Sequence, residues 1–440
     1  MRSLIVISIV FISFGSGWAQ GKEPMSLEFC IQTGLENNKG LDAARARAEG
    51  SLSTADQSAT VLLPSLKLSA GYSRLSDVPP FEMTIPGFPE PRTITIAEPV
   101  LDNSNIKLTL QQPLFTGGRV TGNIKVNRII YQADSSDYLA QRCEAALNIK
   151  ILYWKLYQAQ KVKELAEENL RILGNHLNDV GNLLGQGQAT ENDRLKVKLQ
   201  MSNARLMLID AENNRRAIGI HLNSFIGRPL DTQIDPTSIP DTLEVALLSP
   251  PELIQRALAE RQDIAGQKYR RDATAAGRMA AKSGWYPQVF AVGNYTYANP
   301  NPRIFPARDQ FDATWDAGVM LSMDLWNWQV TKHQVRQAGS LLRQAEDRLV
   351  LLEDAVRVEV NLAVLDVQQA GEKTEVSRIG LDQAQENYRN VKNLFLEGMA
   401  TNSDLLDAEV LLLQAKVGHA GALVECQIAK DKLKNALGEY

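Results

Sequence analysis

Apolar and polar residues alternate along four short stretches of this chain, and apolar residues recur at helical spacing through most of the rest. From Ser65 to Ser73, Leu66, Leu68, Ala70 and Tyr72 share one face, with Ser65, Lys67, Ser69 and Ser73 on the other. A period of two predicts a strand that is greasy on one side and wet on the other. Ile106, Leu108 and Leu110 alternate in the same way with Lys107, Thr109 and Gln111. Further on, Val289, Ala291, Tyr295 and Tyr297 form one face, and Val319, Leu321, Met323 and Leu325 stand against Ser322 and Asp324. Each stretch has about the nine to eleven residues that cross an outer membrane at a tilt.

Between these strands the pattern is helical. Residues from about Ser26 to Leu62 read as a helix that Pro64 ends. After Gly117-Gly118 a helical period runs without proline to about Leu184, roughly 65 residues or about 100 Å. Gly187 stops it, and Thr190 stands where the return helix needs an N-cap. That return helix has two apolar seams. One is Leu195, Leu199, Ser202, Leu206 and Ile209; the other is Val197, Met201, Ala204, Leu208 and Ala211. Near the C-terminus the seams are Leu406, Val410, Leu413, Val417, Ala420 and Ala408, Leu412, Ala415, His419, Ala422. The spacing alternates between four and three, the coiled-coil period. A helix in a closed ring needs two such seams, one per neighbour. A helix buried in an ordinary bundle also shows a wide apolar face, but two seams at this spacing favour the ring.

The chain repeats itself. Gly187-Gln-Ala-Thr-Glu-Asn-Asp193 returns 211 residues later as Gly398-Met-Ala-Thr-Asn-Ser-Asp404. The same offset links Leu114-Phe115 to Leu325-Trp326, and Leu222 with Gly227 to Leu433 with Gly438. Pro64 and Tyr72 match Pro287 and Tyr295 at an offset of 223, so one loop between Tyr72 and Leu114 is about twelve residues longer in the first copy. The expected organisation is a first repeat over 20–228, with a strand hairpin at 64–116 and a long helical hairpin at 118–228. A linker at 229–250 leads to a second repeat over 251–440, with its strand hairpin at 287–326 and helical hairpin at 328–440. Two copies of one module bury their apolar faces against each other.

The N-terminus changes the compartment. Arg2 precedes an apolar core from Leu4 to Phe14, and Gly17-Trp18-Ala19 is a small-x-small cleavage site. This predicts a signal peptide over residues 1–19. No later segment is apolar enough to span a bilayer as a helix, so a membrane role has to come from strands. The aromatics agree: Trp285, Tyr286, Trp315, Trp326 and Trp328 all fall at expected strand ends, where interfacial girdles belong. The stretches Asp77–Ser104 and Asn299–Asp312 are rich in proline and read as loops. A soluble hairpin packed on helices is the alternative. Four strands cannot close a barrel, and open edges are not tolerated in lipid. The chain must therefore associate: two copies give eight strands and three give twelve.

The order of these features resembles the TolC family of outer-membrane efflux proteins. The likeness rests on the tandem repeat, on Leu114-Phe115-Thr-Gly-Gly118 at a strand end, and on the paired turns at Gly187 and Gly398. It implies a mainly α protein with membrane β: a homotrimer with a 12-stranded outer-membrane barrel continuous with a periplasmic α-helical coiled-coil barrel. The implied function is a passive export duct of a tripartite efflux or type I secretion system. Its implied partners are a periplasmic adaptor, an inner-membrane transporter of the RND or ABC type, and outer-membrane lipids. The adaptor would dock at the helix tips, around Gly187, Ala189, Thr190, Gly398, Ala400 and Thr401. The family's aperture carboxylates fall on Asp404 and Asp407, with Asp193 the match in the first copy. Six carboxylates in a trimer would repel one another and raise some of their pKa values. Asp is also favoured at any helix start by the helix dipole, which accounts for these residues equally well. The chain departs from the family where a basic residue is replaced by Ala400 and a hydroxylated aromatic by Phe395.

Other chemistry finds no support. A net charge of −4 does not suggest nucleic acid. Cys30, Cys143 and Cys426 have no shared spacing, and His176, His221, His333 and His419 are scattered. There is no HExxH, phosphate loop or GxSxG elbow, so no catalysis, cofactor or metal is expected. The competing function is a secreted coiled-coil structural or adhesive protein without a channel.

Overall fold

The computed structural model describes residues 23–87, 90–241 and 249–439. The expected signal peptide, with its cleavage site at Gly17-Trp18-Ala19, and part of the expected linker lie outside the described residues. The chain is mostly helical and divides into two compact units.

One unit is built from residues 23–42, 140–241, 249–261 and 355–439. It opens with β1 (Glu23–Met25), paired parallel with β6 (Ile234–Pro236). The first expected helix is in fact two, α1 (Leu27–Asn37) and α2 (Lys39–Thr60). Asn38 makes the break: its backbone is extended, and its side-chain oxygen accepts from the amides of Gly40 and Leu41. A short amide side chain competes well with the helical backbone for such bonds. Four long helices follow: α3 (Arg119–Gly185) from residue 140, α4 (Glu191–Phe225), α7 (Val330–Leu396) from residue 355, and α8 (Asn402–Ala436). The helical hairpins of the two repeats match in length, with 67 and 35 residues each.

The core of this unit gathers Ile149, Tyr153, Leu156, Leu222, Ile226 and Val424. Tyr153 is fully buried but loses no hydrogen bond. Its hydroxyl donates to the Met25 carbonyl at 2.9 Å and accepts from the Ser238 amide at 2.8 Å. Trp154 Nε1 donates to Asp431 at 3.0 Å, and Lys150 lies 3.7 Å from the same carboxylate. Helix α8 is bonded to α3 on one side, through Lys416–Glu168, and to α7 on the other, through Thr374 to the Ala422 carbonyl.

The two seams of α4 meet different surroundings. Val197, Ala204 and Ala211 are buried, whereas Leu195, Leu199, Leu206 and Ile209 are exposed. Helix α7 has a bare stripe of its own at Val358, Leu362, Leu365, Val376 and Ile379. Helices α3 and α8 leave almost no large apolar residue uncovered within this unit. The layer therefore has two greasy edges, one on α4 and one on α7.

The second unit comprises residues 43–87, 90–139 and 262–354. Its sheet has the order β2-β5-β7-β8, all neighbours antiparallel, with β2 Ser65–Arg74, β5 Asp102–Phe115, β7 Gln288–Asn299 and β8 Asp312–Ser322. The register lines up one apolar face. Leu68, Leu108, Tyr295 and Trp315 form one row, and Leu66, Leu110, Gly293 and Ala317 the next. The other face has a polar chain in which Thr109 bonds Asn294 at 3.0 Å and Asn294 bonds Asp316 at 2.8 Å. Phe290, Val292 and Met320 interrupt that polarity at the helix end of the sheet. Pro113 has no amide to donate, and the register shifts beside it.

Three expectations need correction. The loop at 77–104 contains a hairpin, β3 (Phe81–Ile85) with β4 (Arg92–Ala97). Pro80, Pro86 and Pro91 sit just outside the strands, and the β-branched residues Thr93, Ile94 and Thr95 pair with Thr84, Met83 and Glu82. Strand β8 ends at Ser322, so Met323 and Leu325 lie beyond it. Trp315 lies inside β8, opposite Tyr295. Helices α5 (Pro250–Glu260) and α6 (Gln262–Ala281) lead into β7, the latter through a 3₁₀ turn at Lys282–Trp285.

Candidate functional site: the helix tips and the carboxylates behind them

Both hairpins turn by one device. Gly187 and Gly398 have φ of +74° and +73°, a left-handed conformation that glycine takes without strain. Gln188 and Met399 donate to the carbonyls of Leu183 and Leu394, each at 2.8 Å. The helix then restarts on a reciprocal cap. The Thr190 hydroxyl accepts from the Asp193 amide at 3.2 Å while the Asp193 carboxylate accepts from the Thr190 amide at 3.0 Å. Thr401 and Asp404 repeat this at 3.2 and 2.9 Å.

These bonds separate the expected site residues by role. Asp193 and Asp404 are capping residues, and their bonds from the threonine hydroxyl and amide hold both carboxyls below the usual range. Within the chain that direction is opposite to the rise expected from repulsion among six carboxylates, because a hydrogen bond to the anion favours ionisation. Asp407, one turn on and exposed, makes no hydrogen bond or ion pair among the described residues. Ala189 and Ala400 turn inward against a small core of Val180, Val197, Phe395 and Leu405. Gly187, Gln188, Thr190, Gly398, Met399 and Thr401 are among the residues left outside.

The caps give a pH signature. A carboxyl whose folded pKa is depressed contributes stability above its unfolded pKa, and that stability is lost as pH falls through the folded value. The tips should therefore loosen below about pH 4 while the rest of the helices persist. Replacing Thr190 and Thr401 with Ala should remove about 1 kcal/mol per cap and weaken that acid transition. Amide exchange of residues 190–194 and 401–405 measures both effects. An acid profile unchanged by the double substitution would deny the caps this role.

The structure also shows a buried pair that the scattered histidines did not suggest. His176 Nδ1 lies 3.2 Å from Glu409, and both side chains are almost fully buried. The imidazole meets the edge of Phe395 at 5.4 Å. Phe395 thus belongs to the tip core. Tyr388 lies nearby, and burial, reinforced by the charges of Glu409, Glu168 and Asp179, pushes its phenol up. The residues of the pair are 233 apart in sequence, and neither has a local motif to announce it.

In the sheet unit all five expected interface aromatics are exposed. Trp285 and Tyr286 precede β7; Trp326 and Trp328 follow β8 and meet edge to face at 5.6 Å. Trp328 and Gln329 have φ of 50° and 65°. At the repeat offset they replace Gly117 and Gly118, whose φ are 60° and 87°. The second copy keeps the left-handed turn on side chains that resist it, at about 1–2 kcal/mol each.

Among the described residues no group of three His, Cys, Asp or Glu is placed to hold a metal, and no helix is long and apolar enough to cross a membrane. Comparison with known proteins then bears on the whole chain. The model of a family described as outer membrane efflux protein matches residues 30–228 and 253–439. The outer membrane efflux protein BepC of Brucella suis biovar 1 (strain 1330) is 22% identical over 334 residues, 76% of this chain and 72% of that protein. Among solved structures, the CmeC outer membrane channel of Campylobacter jejuni matches with a TM-score of 0.78 at 15% identity, over 94% of this chain and 85% of that one. The open state of the MtrE outer membrane channel of Neisseria gonorrhoeae gives 0.76 at 18% identity, over 94% and 89%. At such identities the structural matches establish the fold.

Proposed function

The chain belongs to the outer membrane efflux protein family, the outer-membrane channels of tripartite efflux systems, and from that premise we propose that three copies close into one continuous export duct. The observation that carries this is the sheet: one apolar face in register across all four strands, and two edge strands, β2 and β8, whose outer edges have no partner among the described residues. The strands alternate in direction, so β2 and β8 run opposite ways. The β8 of one copy can therefore add to the β2 of the next as another antiparallel pair. Three copies make twelve strands, with a polar lumen containing Asn294 and Asp316 and an outer surface that suits lipid. The bare edges of α4 and α7 repeat the logic in the helices. Each helix of a closed ring has two neighbours, and these two lack one.

The tips would then serve as the docking surface for a periplasmic adaptor that leads to an inner-membrane RND or ABC-type transporter. The same geometry would serve a type I secretion system. The exported cargo is taken up by the inner-membrane partner, and the duct contributes passage and selectivity. The carboxylates of Asp407, with those of Asp404 and Asp193 behind the caps, would line the periplasmic mouth.

Substitution at Gly187 or Gly398 is a poor test of docking, since any side chain strains a left-handed turn. Gln188 and Met399 are better, because they are exposed and their backbone geometry is ordinary. Changing both to Asp should lower dye efflux about tenfold or more, as loss of interface hot spots does, with oligomer mass unchanged. Full efflux by this double variant would take the tips out of the docking surface.

A further inference from the structure

Where β5 passes into α3, and α6 passes toward β7, the two helices cross on small residues. A Cβ on Gly122 would lie 2.8 Å from that of Ala280, and one on Gly117 would lie 2.8 Å from that of Tyr286. Beyond this crossing Ala275 and Ala276 offer only methyl groups. Longer side chains, Lys125, Met279, Lys282 and Tyr286, stand around the space they leave, a cavity of about 700 Å³.

Two features set its chemistry. Lys125 and Lys282 are exposed and take part in no ion pair or hydrogen bond among the described residues. The carboxylate on the same rim, Asp272, is already held by Arg271 at 2.7 Å. The charge left over is therefore cationic. Beside it, Met279 and Tyr286 are 69% and 54% exposed. A cavity with free ammonium groups and bare apolar surface fits a ligand with an anionic head and a greasy body.

Position narrows the class. Phe115 ends β5 and Gln288 begins β7, so the cavity lies at the helix end of the strands. On the duct reading above, on which this inference rests, that level is the periplasmic boundary of the barrel. We propose that the cavity binds an anionic phospholipid of the periplasmic leaflet, with its phosphate between Lys125 and Lys282 and its glycerol and upper acyl carbons against Met279 and Tyr286. A free phosphate would satisfy the lysines and leave the methionine and tyrosine bare. A lipid covers both.

The test uses the full chain purified in mild detergent, with phosphatidylglycerol or phosphatidylcholine added and retained lipid counted by native mass spectrometry. Wild type should retain phosphatidylglycerol in preference to phosphatidylcholine. Lys125→Gln with Lys282→Gln should weaken that retention roughly thirtyfold, the effect of two basic residues at an anionic lipid, with assembly unchanged. Met279→Ser should weaken retention of lipid and leave binding of inorganic phosphate alone. Equal retention of phosphatidylglycerol by wild type and double variant would overturn the proposal. Equal retention of the two lipids by wild type would do so too, as would inorganic phosphate binding as tightly as the lipid. A protein that stays soluble once detergent is removed would instead overturn the membrane reading, and the lipid site with it.

Discussion

Leu199→Glu combined with Leu206→Glu should give a folded monomer that forms no channel. Both side chains lie on the exposed seam of α4, at 65% and 62% exposure, while the buried seam through Val197 and Ala204 stays intact. Burying a leucine fully is worth about 1.5–3 kcal/mol, so in the proposed ring the four residues of this seam would supply most of the helical cohesion between copies. Placing two carboxylates in that seam costs several kcal/mol more unless they are paired. Far-ultraviolet circular dichroism should stay near wild type, and size in detergent should fall to one chain. A double variant that remains fully assembled would mean that the exposed seam faces water in the working protein.

The second large effect should come from Asp407→Asn. In a trimer this change removes three carboxylates from the proposed mouth and breaks no bond within the chain. An acidic ring in a narrow wet constriction attracts cations. Block of single channels by a hexa-ammine or trivalent cation added from the periplasmic side should weaken about tenfold, as expected when roughly 1.4 kcal/mol of attraction is lost. Thermal stability should not change. Asp404→Asn should behave differently. It alters a capping box as well as a charge, so it should loosen the tip and weaken the block together. Identical block in wild type and Asp407→Asn would reduce both aspartates to ordinary helix-start residues.

Much of this could be read from the sequence, because the repeat and the two periods are long-range patterns that single residues cannot disguise. The alternation at Leu66, Leu68 and Ala70 was enough to place a strand, and the Gly187 and Gly398 turns to place the tips. What escaped was decided locally or by distant partners. Asn38 breaks a helix whose apolar spacing continues across the break. Pro79, Pro80, Pro86, Pro91 and Pro99 hide a hairpin because they sit beside its strands. The Thr190 cap and the preference of aspartate for a helix start are legible in the sequence, but the reciprocal bond that the Asp193 carboxylate accepts from the Thr190 amide is not. Trp328-Gln329 gives no hint of a left-handed turn until aligned with Gly117-Gly118. His176 and Glu409 meet only because α3 and α8 are neighbours. Which seam of α4 is covered depends on packing, and the sequence shows the two as equals.

The central claim is that three copies, and no fewer, make the duct. Native mass spectrometry in mild detergent tests it most directly. The predicted species has three times the mass of the mature chain, survives dilution, and conducts in planar bilayers. A stable, detergent-solubilised monomer or dimer with the same conductance would contradict the closed twelve-strand sheet and the helical ring together.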